Sequence, residues 1–492
     1  MSYKGSHFIG GNWLTAGHSP TTFSAINPST EEDIGNWPEA DHTDVDDAVA
    51  VAREAFPKWR DMSRINRADL FDNLSQLLKR NHKELLEAIS YETGKSLNEA
   101  HAEVIESLHM CQVVAAMGRQ PFGQNFSSEL ATKDVQVLRK PKGVIAIISP
   151  WNFPLAIGSF WCAGPALVEG NTVVHKPSEL TPMVNQMAAE LYEEAGFPPG
   201  VYNLIHGAEK TGKALVRSDV ETILFTGSAA VGQEIRRHCA DTWHKTCSCE
   251  MGSKSAVITF TDGDLNLAVD VSLASAFKLS GQRCVSSGRM LVQRDVYGNF
   301  VERFVAKAKE LRTTCPWNKE PGFYGPLISK DQMDRVAKYN YMTTKVEGVE
   351  VLLSGERQGD KGYFLKPHVY TCEWGDHPFL KEEVFGPHVA IIPFTDIDDA
   401  IRIYNDTEYG LALGVVTDDF RKHRKLRTEC DTGMLYINGG SIAAESHCDF
   451  GGVKKSGNGW KSAVGTVDAV TEKIAVTTNY EVGKLTWAQG MK

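Results

Sequence analysis

The run Val144-Ile145-Ala146-Ile147-Ile148 decides the fold class. It is short, nearly continuous in apolar residues and preceded by Pro141-Lys142-Gly143, as expected of a strand buried on both faces of a sheet. Similar apolar runs recur downstream, with helical stretches between them, and this alternation predicts a parallel, doubly wound α/β sheet. The predicted strands are Val144–Ile148, Thr172–His175, Val201–Ile205, Thr222–Phe225 and Ala256–Phe260, and the predicted helices are 156–169, 182–195, 208–218 and 230–240.

The regions on either side of this core extend the prediction. A second α/β series runs from 265 to 445, with strands near 289–293, 389–394, 412–416 and 433–437. Upstream, short strands and turns are expected in 8–35. Helices are expected at 64–80, 82–92 and 97–117, and an earlier helix should begin with Thr43 as its N-cap. The fold class is therefore α/β, with two doubly wound domains.

Composition narrows the class of protein. The 492 residues are 42% apolar and 23% charged, and the net charge of −10, with no basic run, argues against a nucleic-acid partner. The N-terminus has no signal-peptide pattern, and no uncharged apolar run is long enough for a membrane helix. Ten cysteines are too sparse for a disulfide framework. We expect a reduced, cytoplasmic protein without a membrane partner.

Cys247 and Cys249 lie one residue apart and could form a metal-binding pair. Neither a second cysteine pair nor a histidine cluster with zinc spacing accompanies them. We therefore expect no metal site.

The stretch Leu279-Ser280-Gly281-Gln282-Arg283-Cys284 is the candidate for the chemistry. Its approach, Ala274 to Leu279, is apolar and predicted to be helical. A thiol in this setting suits nucleophilic catalysis if a neighbour lowers its pKa or accepts its proton. The alternative is an ordinary buried cysteine.

Two further candidates for catalysis flank predicted strands. Pro150–Pro154 directly follows Val144–Ile148, at the kind of strand end where open α/β sheets build their sites, whereas Glu250–Lys254 precedes Ala256–Phe260. Asn152, within Pro150-Trp151-Asn152-Phe153-Pro154, can donate its amide to an oxyanion, or simply form a turn. Glu250, in Glu250-Met251-Gly252-Ser253-Lys254, can serve as a general base, or be a surface carboxylate.

The same strand ends indicate nucleotide binding. Lys176 and Glu179 can hold a ribose, although a solvated surface pair is the alternative. The segment Phe225–Gly232 is strand, glycine turn and helix, and it offers free N–H groups to a phosphate without matching G-x-G-x-x-G. Glu383 can bind a second ribose, with Phe385 against a planar ring.

Taken together, these motifs resemble those of the aldehyde dehydrogenase superfamily, in order and spacing, from Asn27 to the end of the chain. The resemblance implies a Rossmann-like dinucleotide-binding domain, a catalytic domain with the nucleophilic thiol, and a small β oligomerisation arm. The expected boundaries are 1–120 and 142–252 for the first domain, 253–450 for the second, and 121–141 and 466–485 for the arm.

The resemblance also implies a role for each site residue. Cys284 would attack the aldehyde, Asn152 would complete the oxyanion hole with the N–H of Cys284, and Glu250 would activate the water that releases the acid. The remaining residues fall into two sets. Cofactor binding is implied for Trp151, Lys176, Glu179, Gly227, Ser228, Gly232, Glu383 and Phe385, and substrate binding for Phe153, Trp161, Arg283 and Phe450.

The predicted activity is therefore NAD(P)-dependent oxidation of an aldehyde to the acid. A CoA-acylating semialdehyde dehydrogenase is an alternative, disfavoured because that branch typically lacks the glutamate matching Glu250. A non-catalytic binding or structural protein is the other alternative, disfavoured because Cys284, Asn152 and Glu250 are all present. A carboxylate at Glu179 favours NAD, and Lys176 beside it leaves NADP possible.

The substrate is the least determined part of the prediction. Phe153, Trp161 and Phe450 suggest an apolar, aromatic funnel. Arg283 can bind a distal carboxylate or phosphate, which favours a semialdehyde, or it can be held in a structural salt bridge. Three departures from the family pattern bear on this region and on the base: Ser253 stands where a second glycine is common, Asp449 stands where proline is usual, and one extra residue lies between Asn152 and Pro165.

Assembly is predicted from the arm. Val135, Val137 and Leu138 would be exposed in a monomer, and exposed strand edges favour pairing. We expect a homodimer or a homotetramer built as a dimer of dimers.

Overall fold

The first large sheet contains the predicted strand Val144–Ile148. The computed structural model describes residues 3–318, 322–481 and 483. Val144–Ile148 lies near the centre of this seven-stranded sheet, and its first four residues are fully buried. The strands, in spatial order, are Thr246–Glu250, Thr222–Thr226, Val144–Ile148, Thr172–Lys176, Tyr202–Leu204, His7–Ile9 and Asn12–Leu14. The first five are parallel, and the N-terminal hairpin adds the last two antiparallel.

Helices cover this sheet, and a small sheet of Tyr3–Lys4, Asp33–Pro38 and Thr22–Ile26 adjoins it. The helices are His42–Asp61, Arg64–Arg80, His82–Thr93, Leu97–Met117, Ala163–Val168, Pro182–Glu194, Glu209–Arg217 and Ala229–Ala240. The prediction of Thr43 as an N-cap is wrong, because Asp41 caps the first helix and its carboxylate accepts hydrogen bonds from the N–H groups of Thr43 and Asp44. Asp44 in turn bonds the N–H of Asp41, which completes a capping box.

The second large sheet also has seven strands. Their order is Glu350–Ser354, His368–Thr371, His388–Phe394, Ser287–Gln293, Ser255–Thr259, Ala412–Val416 and Met434–Ile437. All neighbours are parallel except the first pair, Glu350–Ser354 and His368–Thr371, and neither of these two strands was predicted. The helices of this part are Leu265–Phe277, Arg294–Glu310, Lys330–Thr343, Pro378–Lys381, Ile397–Asn405 and Phe420–Glu429. Two doubly wound α/β sheets are thus present, as the fold class requires.

The arm is a three-stranded antiparallel sheet. Thr471–Asn479 pairs along its whole length with Lys133–Pro141, which pairs with Gly123–Ser127. The short helix Thr466–Val470 precedes the last strand. Val135, Val137 and Leu138 are half-buried, whereas Phe126 and Ile474 are exposed. Residues 482, 484 and 485 of the predicted arm and residues 1 and 2 of the predicted first domain lie outside the described residues.

The segment between Asn152 and Pro165, for which an extra residue was expected, contains a change of helix type. The segment Ile157–Cys162 is a π-helix, which continues directly into the α-helix Ala163–Val168. A π-helix makes i→i+5 hydrogen bonds and so accommodates an additional residue without breaking the helix, and such segments are frequent at functional sites. The predicted helix 156–169 is therefore present, but its first half has a different winding.

Between residues 3 and 481, leaving aside 319–321, no helix is both long and apolar enough to cross a bilayer. The remaining short strands pair Tyr409–Gly410 with Val453–Lys454, and Asp449–Phe450 with Ser462–Ala463. The backbone of Glu250 also pairs with Gly457, so this returning segment lies against the end of the strand Thr246–Glu250.

Candidate active site

Cys284 follows a left-handed turn that ends the helix Leu265–Phe277. Leu279 and Ser280 have φ angles of 54° and 56°, and Gly281 has 71°. Each non-glycine residue in this conformation costs of order 1–3 kcal/mol and persists only where its surroundings enforce it. The predicted helical approach, Ala274 to Leu279, is therefore wrong beyond Phe277: the chain leaves the helix in order to present the thiol.

The surroundings that enforce this turn are specific. The carboxylate of Glu99 accepts a hydrogen bond of 2.5 Å from the N–H of Leu279, and the Ser280 hydroxyl donates to the Gly325 carbonyl at 2.7 Å. A Cβ on Gly281 would lie 2.2 Å from the carbonyl oxygen of Gly386, so only glycine fits. The nucleophile loop is thus held by elements distant in sequence.

Asn152 lies beside the same loop. Its Nδ2 donates to the carbonyl of Gln282 at 2.9 Å, which uses one of the two amide N–H groups and orients the other. The backbone N–H of Cys284 makes no hydrogen bond to any residue that the structure describes. An unpaired N–H and an oriented amide are the donors that an oxyanion requires.

The segment after Asn152 is held by a buried ion pair. Glu103 accepts hydrogen bonds from the N–H groups of Leu155, at 2.8 Å, and Ala156, at 3.2 Å. Its other oxygen pairs with the ammonium group of Lys95, and the two side chains are 0% and 1% exposed. Lys95 and Glu103 therefore fix the chain that carries the amide donor.

Glu250 is buried at the end of its strand. Its Oε2 accepts a hydrogen bond of 3.3 Å from the N–H of Gly452, and its Oε1 is buried without a partner among the described residues. Burial raises the pKa of Glu250 well above its usual range, and the charge of Lys461 opposes this shift. A raised pKa makes the ionised carboxylate a stronger base, and its free oxygen can then accept a proton from water.

Ser253, one of the three expected departures from the family pattern, contacts the backbone of Cys284 directly. Its hydroxyl donates to the carbonyl oxygen of Cys284 and lies 3.0 Å from the hydroxyl of Ser255. Its N–H donates to the carboxylate of Glu383 at 2.7 Å. One residue thus links the nucleophile loop to the loop that carries Glu383.

The thiol of Cys284 is uncharged at rest. Burial raises its pKa to about 12, and the carboxylates of Glu383 and Glu250 act in the same direction, while Arg283 opposes them. The thiolate is the reactive form of a cysteine. A thiol with this pKa must give up its proton before it can act as a nucleophile, and the cavity that it shares with Glu250 is continuous with the surface.

A cavity of about 340 Å³ brings most of the predicted residues together. It lies where three strands of the first sheet end, against the loops of Cys284 and of Glu383. The predicted residues that line it are Trp151, Asn152, Gly227, Ser228, Glu250, Cys284, Glu383, Phe385 and Phe450. An open depression of about 1040 Å³ shares Ala229, Met251 and Glu383 with this cavity, so the cleft continues to the surface.

The cleft has features that fit a dinucleotide. Ser228 caps the helix Ala229–Ala240 at the cavity, and a helix N-terminus favours a phosphate. The rings of Trp151 and Phe385 meet edge to face at 5.5 Å, with Phe385 at a φ of 62°. Burial raises the pKa of Glu383 to about 7, opposed by the N–H of Ser253 and by nearby cations.

Three predicted cofactor residues lie away from the cavity lining. The Lys176 ammonium donates to the carbonyls of Pro177 and Gly207, both at 2.6 Å, and Glu179 is half-buried. Gly232 lies in the helix Ala229–Ala240, where a Cβ would come within 2.5 Å of the Met251 sulfur. Close packing thus explains the glycine at 232.

The predicted substrate residues separate into two groups. Trp161 is buried and packs edge to face on Phe450 at 5.0 Å, and Phe450 lines the cavity. Phe153 is flanked by two cations: the Nζ of Lys95 is 4.0 Å from its ring centre and the Cζ of Arg283 is 5.3 Å away. Arg283 makes no ion pair within 4.0 Å in the described part of the chain, and its Nε is buried without a partner.

Sequence reasoning missed Lys95, Glu103 and Lys461. Glu103 gave a signal, because it falls on the apolar face of the helix Leu97–Met117, where an acid needs a partner. Lys461 gave none, since only the return of the chain past Glu250 brings it to the base. In the described segments no group of three or more His, Cys, Asp or Glu side chains could hold a metal ion, and this includes the surroundings of Cys247 and Cys249.

A half-buried cysteine, an amide and a buried carboxyl group meet at the strand ends of a doubly wound sheet, beside a helix N-terminus suited to a phosphate, and this arrangement is typical of nucleotide-dependent enzymes. The model of the aldehyde dehydrogenase family matches residues 13–476. Cytosolic aldehyde dehydrogenase 1 of Mus musculus is 37% identical over 458 residues, which cover 92% of this chain and 90% of that protein. The chain therefore belongs to the aldehyde dehydrogenase family and is an oxidoreductase.

Solved structures agree with this assignment. The structure of PnpE in complex with nicotinamide adenine dinucleotide matches with a TM-score of 0.93 and 33% identity, covering 98% of this chain and 99% of that one. Betaine aldehyde dehydrogenase from Staphylococcus aureus, in complex with NAD⁺, matches with a TM-score of 0.92 and 27% identity, covering 99% and 97%. Both the predicted family and the predicted fold class are confirmed.

Proposed function

We propose that this enzyme oxidises an aldehyde to the carboxylic acid with NAD⁺, through a covalent intermediate on Cys284. The observation that carries the proposal is that Cys284, Asn152 and Glu250 line one cavity. The Cys284 thiol gives its proton to solvent water, and its sulfur then bonds to the aldehyde carbon while the amide of Asn152 and the N–H of Cys284 hold the oxygen. A bound nicotinamide would serve as the acceptor of the hydride that leaves this carbon, and a thioester on Cys284 would remain.

Glu250 then acts on water. Its carboxylate takes a proton as the water oxygen bonds to the thioester carbon, and the C–S bond breaks to release the acid and the Cys284 thiolate. General-base help of this kind is worth on the order of 10²–10⁴ in rate. Two donors directed at the oxyanion stabilise the tetrahedral species before each bond breaks.

The cofactor is held by the remaining residues of the cleft. Gly227 and Ser228 would bind the pyrophosphate at the start of the helix Ala229–Ala240, Glu383 the nicotinamide ribose, and Trp151 and Phe385 the ring. Lys176 and Glu179 would bind the adenine ribose, and Gly232 permits the close packing beneath. Two carbonyls already engage the Lys176 ammonium, which supports NAD over NADP because Glu179 then repels a 2′-phosphate.

The proposed substrate is an aldehyde with an anionic group at its far end. Arg283 supports this, because a half-buried guanidinium beside the nucleophile has no carboxylate partner within 4.0 Å among the described side chains. A planar guanidinium binds carboxylates in a bidentate manner. Phe153 would pack on the substrate stem, and Phe450, backed by Trp161, would close the apolar side.

The test is NADH formation by the purified enzyme with benzaldehyde, hexanal and succinic semialdehyde, each with and without CoA. We expect CoA-independent NADH formation, with the highest kcat/KM for the semialdehyde. Arg283→Ala should raise the KM of the semialdehyde and leave that of hexanal unchanged. A strict requirement for CoA would support the acylating alternative, and the absence of NADH with all three would contradict the proposed class of reaction.

The division of the chain and its assembly are proposed with it. We assign 1–120 and 142–252 to cofactor binding, 253–450 to catalysis, and 121–141 with 466–485 to an oligomerisation arm, in a cytoplasmic homodimer or homotetramer. The exposed apolar side chains of the arm support the pairing of subunits. Light scattering should give a mass of at least twice 54.2 kDa, and a particle of 54.2 kDa at micromolar concentration would contradict it.

A further inference from the structure

Lys461 lies where it can act on the general base. Its Nζ donates to the carbonyl of Gly451 at 3.0 Å and to that of Gly452 at 3.3 Å. The N–H of Gly452 in turn donates to the carboxylate of Glu250. A single lysine thus holds the two-glycine turn that holds the base.

The packing around Gly451 shows how close these groups are. A Cβ at Gly451 would lie 2.3 Å from Oε1 of Glu250 and 2.8 Å from Cδ of Lys461. The glycine, with a φ of 158°, is therefore in contact with the base on one side and the lysine stem on the other. Any larger residue would push the carboxyl group away from its position.

The charge of Lys461 is not neutralised locally. No carboxylate lies within 4.0 Å of its ammonium in residues 3–318 and 322–481, whereas the neighbouring Asp468 pairs with Arg139 at 2.6 Å. Lys461 is half-buried and lines a surface cavity of about 470 Å³ together with Asp449, Trp460 and Lys473. It therefore stands between the buried base and water.

We infer that Lys461 is a positioning residue for the hydrolysis step, which orients Glu250 through the Gly451–Gly452 turn and supplies the positive charge beside its carboxylate. The inference rests on the proposed function, because it concerns the water-activating role of Glu250. It assigns the lysine a role in release of the acid and none in attack on the aldehyde.

The electrostatic consequence can be stated with its sign. Lys461 is the charged group that acts on Glu250 among the described side chains, and Glu250 in turn raises the pKa values of Cys162, in the π-helix, and of Cys284. Burial raises the pKa of Glu250 and the charge of Lys461 lowers it. Removal of that charge should raise the pKa further. At a pH below the pKa, each further pKa unit lowers the ionised fraction of Glu250 about tenfold.

The experiment uses p-nitrophenyl acetate, which transfers its acetyl group to a cysteine thiolate and releases p-nitrophenolate without a cofactor. The rapid burst reports acylation of Cys284, and the steady rate reports hydrolysis. For Lys461→Met we expect a burst of about one p-nitrophenolate per active site and a steady rate lower by about tenfold at pH 7. The acid limb of the pH profile of the steady rate should move to higher pH. Lys461→Arg, which keeps the charge, should place the acid limb near that of the wild type.

The matched control is Lys473→Met, which removes another lysine from the same cavity without touching the glycine turn. Its steady rate and pH profile should equal those of the wild type. A Lys461→Met enzyme with an unshifted acid limb, or a Lys461→Arg enzyme shifted as far as Lys461→Met, would overturn the inference. A wild type without a burst contradicts the proposed function and this inference with it, whereas a normal burst with an unshifted variant contradicts the inference alone.

Discussion

The buried pair Lys95–Glu103 should stabilise the protein and its oxyanion donor together. Lys95→Met keeps an apolar stem over Phe153 but leaves the carboxylate of Glu103 without its cation, at 0% exposure. Breaking a buried ion pair in this way typically costs about 3–5 kcal/mol, because the remaining charge is uncompensated. We expect the free energy of unfolding, measured in urea, to fall by about that amount.

The same change should reduce turnover. Glu103 accepts hydrogen bonds from the N–H groups of Leu155 and Ala156, which follow Asn152 by three and four residues. If the unpaired carboxyl group moves, the amide of Asn152 is no longer directed at the oxyanion. Complete loss of one oxyanion donor lowers kcat by about 10²–10³. We expect a loss in kcat below that limit, measured by NADH formation with hexanal.

Two controls make this prediction specific. Lys95→Met with Glu103→Gln removes both charges and keeps an acceptor for the backbone, so most of the lost stability should return. Lys83→Met breaks the exposed contact with Glu87, at 3.9 Å, and should cost less than about 1 kcal/mol. A Lys95→Met enzyme as stable as Lys83→Met, or a double variant no more stable than Lys95→Met, would refute the reasoning.

Other predictions test the site itself. Cys284→Ser should abolish turnover and leave the Kd for NAD⁺, measured by calorimetry, unchanged, because a hydroxyl is far less acidic than a thiol; residual turnover would point to another nucleophile. Glu250→Gln should release one NADH per site and then slow by about 10²–10⁴, with an acyl adduct on Cys284 in the mass spectrum; near-normal steady turnover would remove it from the mechanism. Ser253→Ala loses a hydrogen bond worth about 0.5–1.5 kcal/mol, so alkylation of Cys284 by iodoacetamide should change in rate by about threefold to tenfold, and an unchanged rate would show that the contact does not position the thiol. Burial raises the pKa of Glu383 to about 7, and its ionised form would accept hydrogen bonds from ribose hydroxyls. The Kd for NAD⁺ should therefore fall as pH rises from 6 to 8, and Glu383→Gln should flatten that dependence. A Kd that rises with pH would argue against the ribose role.

The central strands of both sheets and most helices could be predicted from the sequence, because their signals are local. The run Val144–Ile148 is apolar at every position, and its flanking helices have regular spacing. The catalytic candidates were visible for the same reason. Asn152 follows a predicted strand, Glu250 precedes one, and Cys284 lies in a stretch of small and polar residues.

What only the tertiary structure decided is which groups surround those residues. The left-handed turn at Leu279 and Ser280 has no local signal, because contacts with Glu99 and Gly325, far along the chain, enforce it. The strand His368–Thr371 gave no clear pattern of its own, and it is defined by pairing with a neighbour on each side.

The electrostatics of the site also depend on the folded chain. A residue's own type does not show whether its charge is paired, so Arg283 could equally have been a structural ion pair; the fold leaves it unpaired in the described structure. Lys461 reaches Glu250 only because the chain returns across the end of the first sheet, 211 residues later in the sequence. The sequence by itself determined the family and the fold class and indicated candidates for the reacting side chains, whereas burial and the charges that tune those side chains are properties of the packed molecule.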